Sequence, residues 1–166
     1  MKYEVVPDIF DQNALNDFYE NHSNVFKKGE NPGVVLGTIK TDEYILDKNV
    51  KVICNAVFSY DNCYAVCDIL KRNRDGFDIY FVKAATSVEE RFMNDLAYQY
   101  YVATSAGVKI KRVFLMTIND EYIRGNKLNL KELFIVNDFT KVASARAENV
   151  GKNIEKYRKE LEAETE

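Results

Sequence analysis

The chain has no tryptophan, one histidine, two prolines and three cysteines. Each scarcity removes a class of explanation. Two prolines and seven glycines leave no room for a long flexible linker. The one histidine, His22, sits in the polar stretch Glu20-Asn21-His22-Ser23-Asn24, where a solvated helix end is the plain reading and general base chemistry is not. The odd cysteine count contains no CxxC pair. Cys63 and Cys67 stand four apart with no histidine nearby to complete a zinc site. Reduced structural thiols in a cytoplasmic protein are expected instead. Basic excess is absent too, with 23 Lys and Arg against 26 Asp and Glu, a net charge of −3. Tight nonspecific binding to nucleic acid, which comes largely from cations neutralising phosphates, is therefore disfavoured for the chain as a whole, although a local groove can still be basic. The N-terminus Met1-Lys2-Tyr3-Glu4 carries no apolar run or cleavage signal, and no stretch reaches membrane-spanning length.

What is present is ordinary for a globular domain: 166 residues, 46% hydrophobic and 30% charged. That length buries a core without disulfide or metal staples. Eleven Tyr and ten Phe make the core aromatic and carry no functional signal by themselves. No internal repeat is visible.

Along the chain, residues 1–10 read as a loose arm or edge segment. Asp11 caps a predicted helix over Gln12 to His22, with Leu15, Phe18 and Tyr19 as its apolar stripe. Lys27 to Gly33 is turn-rich, and Val34 to Gly37 takes no clear state. Thr41-Asp42-Glu43 predicts the start of a short helix ending near Lys48-Asn49. Together these make an N-terminal helical arm over 1–49. Strand patterning follows. Val52 to Phe58 and Tyr64 to Lys71 are joined at Asp61-Asn62, and Asp75-Gly76 turns the chain into Phe77 to Ala84. Alternation places Tyr64, Val66, Asp68 and Leu70 on one face, and Ile79, Phe81 and Lys83 on one face of the third strand. Ser87-Val88-Glu89-Glu90 has the capping-box spacing for a helix that Gly107 stops, with Phe92, Leu96, Gln99 and Ala103 at helical intervals. A strand around Val113 to Met116 then lies parallel to 77–84 by a right-handed crossover. A polar loop over 119–129 and a short strand at Leu133 to Val136 precede a last helix opened by Asp138 or Thr140. Its stripe, Ala143, Ala147, Val150, Ile154, Tyr157 and Leu161, is a core or partner-facing seam. The fold class is α/β: an antiparallel meander over 51–84, then a crossover to a strand at 112–118, flanked by helices. The core spans 50–140 and the C-terminal amphipathic helix 141–166, within one domain. The chain stops on Glu166 with no capping signal, as one domain of a longer protein would.

An aspartate inside one apolar strand and a lysine ending its neighbour need a reason, because buried charges are costly without partners. Asp68 supplies a hard oxygen ligand for Mg²⁺ or Mn²⁺, and Lys83 supplies a cation for developing phosphate charge. Adjacent hairpin strands let the two meet. Plainer readings stand beside this. Asp68 caps a turn or pairs with Lys83, Lys83 snorkels from a strand end, Gln99 is a core-edge amide, Asp95 is helix-surface charge, and Tyr98, Tyr100 and Tyr101 pack.

Asp68, the hairpin and a strand ending Val82-Lys83 resemble the PD-(D/E)XK nuclease superfamily. Val82-Lys83-Ala84-Ala85-Thr86-Ser87-Val88 resembles the Val-Lys-Ser-Ser-Thr-Ser-Val stretch of a RecB-like bacterial branch. Asp95-Leu96-Ala97-Tyr98-Gln99 resembles its Asp-x-Ala-x-Gln helix motif, and Ala106-Gly107-Val108 with Val113-Phe114-Leu115-Met116 continues the likeness, which covers roughly 50–140. The resemblance implies a restriction-endonuclease-like fold, Asp68, Lys83 and Gln99 as catalytic residues, Mg²⁺ or Mn²⁺ as the cofactor and DNA as the partner. Related exonucleases hold an iron–sulfur cluster on four cysteines. This chain has three, so no cluster is expected. The motif's second acid, two residues before the lysine, is Phe81 here, and a glutamate usual in the preceding strand is Asn55. Three readings follow. The first is a weak or inactive nuclease-like domain that binds nucleic acid or acts as a scaffold. The second is an active nuclease that recruits Asp95 or Glu90, with Asp68 and Asp95 as metal ligands. The third is an interaction domain that meets a protein partner through the C-terminal helix. Asp78 is a poor substitute acid, because it alternates to the face opposite Lys83.

Overall fold

The computed structural model describes residues 1–22 and 29–164. Strands β1 (Lys2–Val5), β2 (Val50–Tyr60), β3 (Cys63–Asn73), β4 (Gly76–Val82), β5 (Ile110–Ile118) and β6 (Phe134–Asp138) form one six-stranded sheet in chain order. Helices α1 (Gln12–His22), α2 (Pro32–Leu46), α3 (Glu90–Ser105) and α5 (Thr140–Glu164), with the single turn α4 (Leu130–Leu133), complete the described chain. The class is the α/β class expected. β2, β3 and β4 are an antiparallel meander, and β4 and β5 are parallel across α3. Asp61 and Asn62 both take positive φ (48° and 58°), the geometry of a tight two-residue hairpin turn. β6 returns antiparallel to β5.

The N-terminal third differs most from expectation. Residues 2–5 take the edge alternative of the arm-or-edge reading, as a strand parallel to β2; the helices that follow are where the difference lies. α2 begins at Pro32 rather than near Thr41. The Asn31 side chain accepts from Gly33 N at 3.0 Å and Val34 N at 3.3 Å, and Pro32 takes the first helical position, where its missing N–H costs nothing. The same Asn-Pro-Gly chemistry that reads as a turn is here a helix start. Thr41 is buried in mid-helix. Its hydroxyl donates to Gly37 O and accepts from Val57 N, each at 2.8 Å, stitching α2 to β2. Gly37 permits that approach, since a Cβ there would meet Val57 Cγ2 at 2.5 Å. The expected loop at 27–33 and the side chains of Tyr19 and His22 lie wholly or partly outside the described residues.

α3 also starts late. Glu89 is its cap residue, with no side-chain cap bond, so the Ser87 capping box does not form. The chain after β4 stays with the sheet instead: Lys83 N donates to Met116 O at 2.9 Å, and Ile118 N to Ala85 O at 2.8 Å. Gly107 ends the helix region at φ +89°, as its position implied.

Ile53, Leu70, Ile79 and Val113 sit abreast across β2 to β5, all at most 1% exposed, and Phe81 and Leu115 form the next row. Each such side chain contributes roughly 1.5–3 kcal/mol by burial. α3 packs over β2, β3 and β5, and α5 packs on α3 and β5. Arg72 ties the end of α2 to the sheet, donating to Ile45 O at 2.7 Å and Val50 O at 2.9 Å. The α5 stripe is buried only at its start. Ala143 is fully covered, whereas Tyr157 and Leu161 are 58% and 64% exposed.

Candidate active site

Asp68 lies where strand pairing breaks on both of its sides. Towards β2, the pairs Cys54↔Ile69 and Ala56↔Cys67 set Asn55 opposite it, and Asn55 takes φ +56°, a left-handed conformation that asparagine tolerates. The buried side of the hairpin changes parity there, from Ile53 and Leu70 to Ala56 and Cys67. Towards β4, ladder pairing begins only at Ile69↔Tyr80. Asp68 Oδ2 accepts from Val82 N at 2.8 Å, replacing the backbone carbonyl that a continued ladder would supply. β4 meanwhile continues along β5 through Phe81↔Leu115 and Val82↔Met116. Asp68 therefore stands at the fork where β4 parts from β3.

Lys83 follows the end of β4. Its ammonium pairs with Asp95 on α3 at 2.9 Å and lies 5.3 Å from the centre of the Phe92 ring, and its side chain is 29% exposed. Among the described residues, the ion pair of Lys83 is with Asp95 and the hydrogen bond of Asp68 is with Val82 N; the meeting of Asp68 and Lys83 expected from adjacent strands does not occur. Asp68 turns its carboxylate to the neighbouring strand's backbone, and Lys83 lies past the end of β4, where the strands have separated. Glu90, the other candidate relocated acid, pairs with Arg146 of α5 at 2.7 Å and is largely exposed. Gln99 is half-buried, with its Oε1 enclosed and without a hydrogen-bond partner among the described residues. An enclosed acceptor of this kind costs about 1–3 kcal/mol unless a donor reaches it. Phe81 is 1% exposed and belongs to the core. Asp78 is not near Lys83's chemistry at all. It is 3% exposed and held by Arg112 at 2.7 Å and Asn73 at 3.0 Å.

A cavity of about 290 Å³ opens beside Lys83, lined by Lys83, Ala84, Ala85, Arg91, Phe92 and Asp95. Sequence reasoning passed over Arg91 and placed Phe92 in the helical stripe without a site role. The available signal was spacing, because they stand four and three residues before Asp95 and share its side of α3. Arg91 also lies 5.3 Å from the Phe92 ring centre and pairs with Glu89 at 2.7 Å. The cavity thus has two cations and one carboxylate, a surface suited to an anionic group. Neither Asp68 nor Gln99 lines it.

The donor set does not fit a divalent cation that needs several hard oxygens. One Asp68 oxygen is taken by a backbone N–H, Asp95 is neutralised by Lys83, and no group of three His, Cys, Asp or Glu is assembled among the described residues. Burial, and secondarily the neighbouring Asp68 charge, pushes the Cys67 thiol far up from its ordinary range. Cys67 is therefore packing, not a nucleophile. Among the described residues no helix is long and apolar enough to cross a membrane. No family model matches the chain, and no curated protein matches it.

Proposed function

We propose that this chain is a RecB-like domain of restriction-endonuclease-like fold whose hydrolytic site has been dismantled, and that it works by binding nucleic acid. The observation that carries this reading is that the site's charges are spent on one another and on the fold. Asp68 holds Val82 N, Asp95 holds Lys83, and the place of the second acid is filled by the buried Phe81. Hydrolysis needs groups free to meet water and phosphate at the moment of reaction. Binding needs only cations near phosphates: Lys83 and Arg91 both line the cavity, and the exposed pair of Arg91 with Glu89 can open to a phosphate at little cost.

The test is cleavage of single- and double-stranded DNA and RNA with Mg²⁺ or Mn²⁺, using the wild type and Lys83→Ala, beside a salt titration of binding. The expected result is no cleavage attributable to the protein and an affinity that falls steeply with salt. Robust cleavage abolished in Lys83→Ala would establish the active nuclease with a relocated acid. Absence of salt-dependent binding would leave a protein-interaction domain, for which the exposed Tyr157 and Leu161 on α5 provide the apolar surface.

A further inference from the structure

Among the described residues, one face of the sheet between β3 and β5 is only partly covered, and it is built differently from the buried one. Across it run two adjacent rows: Lys71, Asp78 and Arg112, then Ile69, Tyr80 and Phe114. The residues alternating with them on the other face are fully buried. Ile69, Tyr80 and Phe114 are only half-buried and lie outside the core cluster and its packing partners. Tyr80 and Phe114 stack on each other with ring centres 4.7 Å apart and planes 22° from parallel.

The charge on this face is fixed in place. Arg112 is forked onto the buried Asp78 carboxylate, through Nη2 at 2.7 Å and Nε at 3.3 Å, and rests 5.1 Å from the Phe114 ring centre. Its side chain is nevertheless 51% exposed, so the guanidinium is held rigid while still facing solvent. Beyond it a cavity of about 360 Å³ runs to Lys141, lined also by Asp138, Phe139, Thr140 and Val142. Lys71 and Lys141 are exposed, and neither forms an ion pair among the described residues. The adjoining hairpin end adds the exposed Arg74, with Lys109 and Lys111 sharing the single carboxylate of Asp75. In a chain of net charge −3, this end of the sheet carries more cations than acids. An apolar protein partner would not call for that balance, whereas a polyanion would.

We propose that this sheet face binds single-stranded nucleic acid, with phosphates against Lys71, Arg112 and Lys141 and an unpaired base against the Tyr80–Phe114 stack. The inference rests on the nucleic-acid reading above and adds the surface and the strandedness. An aromatic pair rewards unpaired bases, since duplex bases are already stacked on each other.

The test is fluorescence polarisation with labelled single-stranded oligonucleotides of about 12 nucleotides, against duplexes of the same sequence. The variants are Lys71→Glu with Lys141→Glu, then Tyr80→Leu and Phe114→Leu, which keep an apolar filling and remove the ring. Melting curves establish that each is folded. The charge reversal should weaken single-strand binding by at least about tenfold and make the salt dependence shallower by about two phosphate contacts. Each ring removal should weaken it on the order of tenfold. Lys152→Glu with Lys156→Glu on α5, the same charge change elsewhere, should leave binding unaltered. Single-strand binding that ignores these face variants but is lost in Lys83→Ala with Arg91→Ala overturns this surface and leaves the nucleic-acid reading standing. Duplex bound as tightly as single strand overturns the strandedness. No binding to any nucleic acid overturns the reading itself.

Discussion

Replacing Phe81 by glutamate restores, in sequence, the acid that the nuclease motif wants two residues before Lys83. The tertiary structure says that this restoration should unfold the protein. Phe81 is 1% exposed and paired in register with Leu115, which is fully buried. Losing the ring's contacts costs about 3–5 kcal/mol, as for a buried aromatic truncation. The new carboxyl group arrives without a partner, adding roughly 1–3 kcal/mol if it stays neutral. The total, about 4–8 kcal/mol, is comparable with the whole stability of a typical domain, about 5–15 kcal/mol. The introduced carboxyl would have its pKa raised in the folded state. Its penalty is therefore smallest below the unfolded glutamate value, about 4.3, and grows as pH rises above that value. Urea unfolding followed by far-UV circular dichroism or tyrosine fluorescence at pH 5 and pH 8 measures this, with Phe81→Leu as the apolar control, which leaves a cavity but buries no polar group and so costs less, equally at both pH values. F81E should be barely folded at pH 8 and measurably less destabilised at pH 5. An F81E protein that keeps wild-type stability at pH 8 and gains Mg²⁺-dependent cleavage would refute the reasoning, since position 81 would then open onto a site rather than the core.

Three further outcomes are expected. Gly33→Ala should cost about 1–3 kcal/mol in urea unfolding, because its Cβ would fall 1.8 Å from the Ile9 carbonyl oxygen and backbone must move; Gly125→Ala, with nothing within 4 Å, should not. Cys67 should resist a thiol reagent at pH 8 in the native protein and react on unfolding, as read by peptide mapping; modification at the rate of a free thiol would contradict its burial and raised pKa. Asp138 accepts from both the Thr140 hydroxyl and Thr140 N, which hold its carboxyl below the usual range. A depressed folded pKa stabilises above the unfolded value, about 3.9, and that contribution is lost as pH falls through the folded value. Wild type should therefore be more stable than Asp138→Ala at pH 6, with a gap that narrows below about pH 4; a gap independent of pH would remove the carboxylate from the explanation.

Much of the sheet was legible because its signals are local. The β-rich apolar run at 52–58 and the alternation in 64–71 and 77–84, with turn residues at Asp61-Asn62 and Asp75-Gly76, specify a meander before any distant contact is considered. Gly107 and the crossover rule then give the parallel β5. The starts of α2 and α3 failed for a definite reason. Asn31-Pro32-Gly33 and Thr41-Asp42-Glu43 both carry start chemistry, and choosing between them depends on β2, where Val57 N needs the Thr41 hydroxyl and Val57's side chain needs Gly37. Ser87 lost its cap role in the same way, because Ala85 stays bonded to Ile118. Of the site residues that the sequence suggested, Lys83 and Asp95 line the cavity and Asp68 and Gln99 do not; Phe92 was read only as part of the helical stripe, Arg91 was not singled out, and nothing signalled that Asn55 turns left-handed opposite Asp68.

What the sequence determined by itself is therefore the α/β class, the pairing of β2 through β5, and the presence of an acid in one strand and a lysine at the end of its neighbour, because periodicity and turn chemistry act over a few residues. Only the tertiary structure decided their partners. The fork between β3 and β4 hands Asp68 to Val82 N, α3 brings Asp95 to Lys83, and the β4–β5 pairing seals Phe81 in the core. A charged group's role is set by which group lies within about 3 Å of it, and that distance is fixed by elements far apart in the chain.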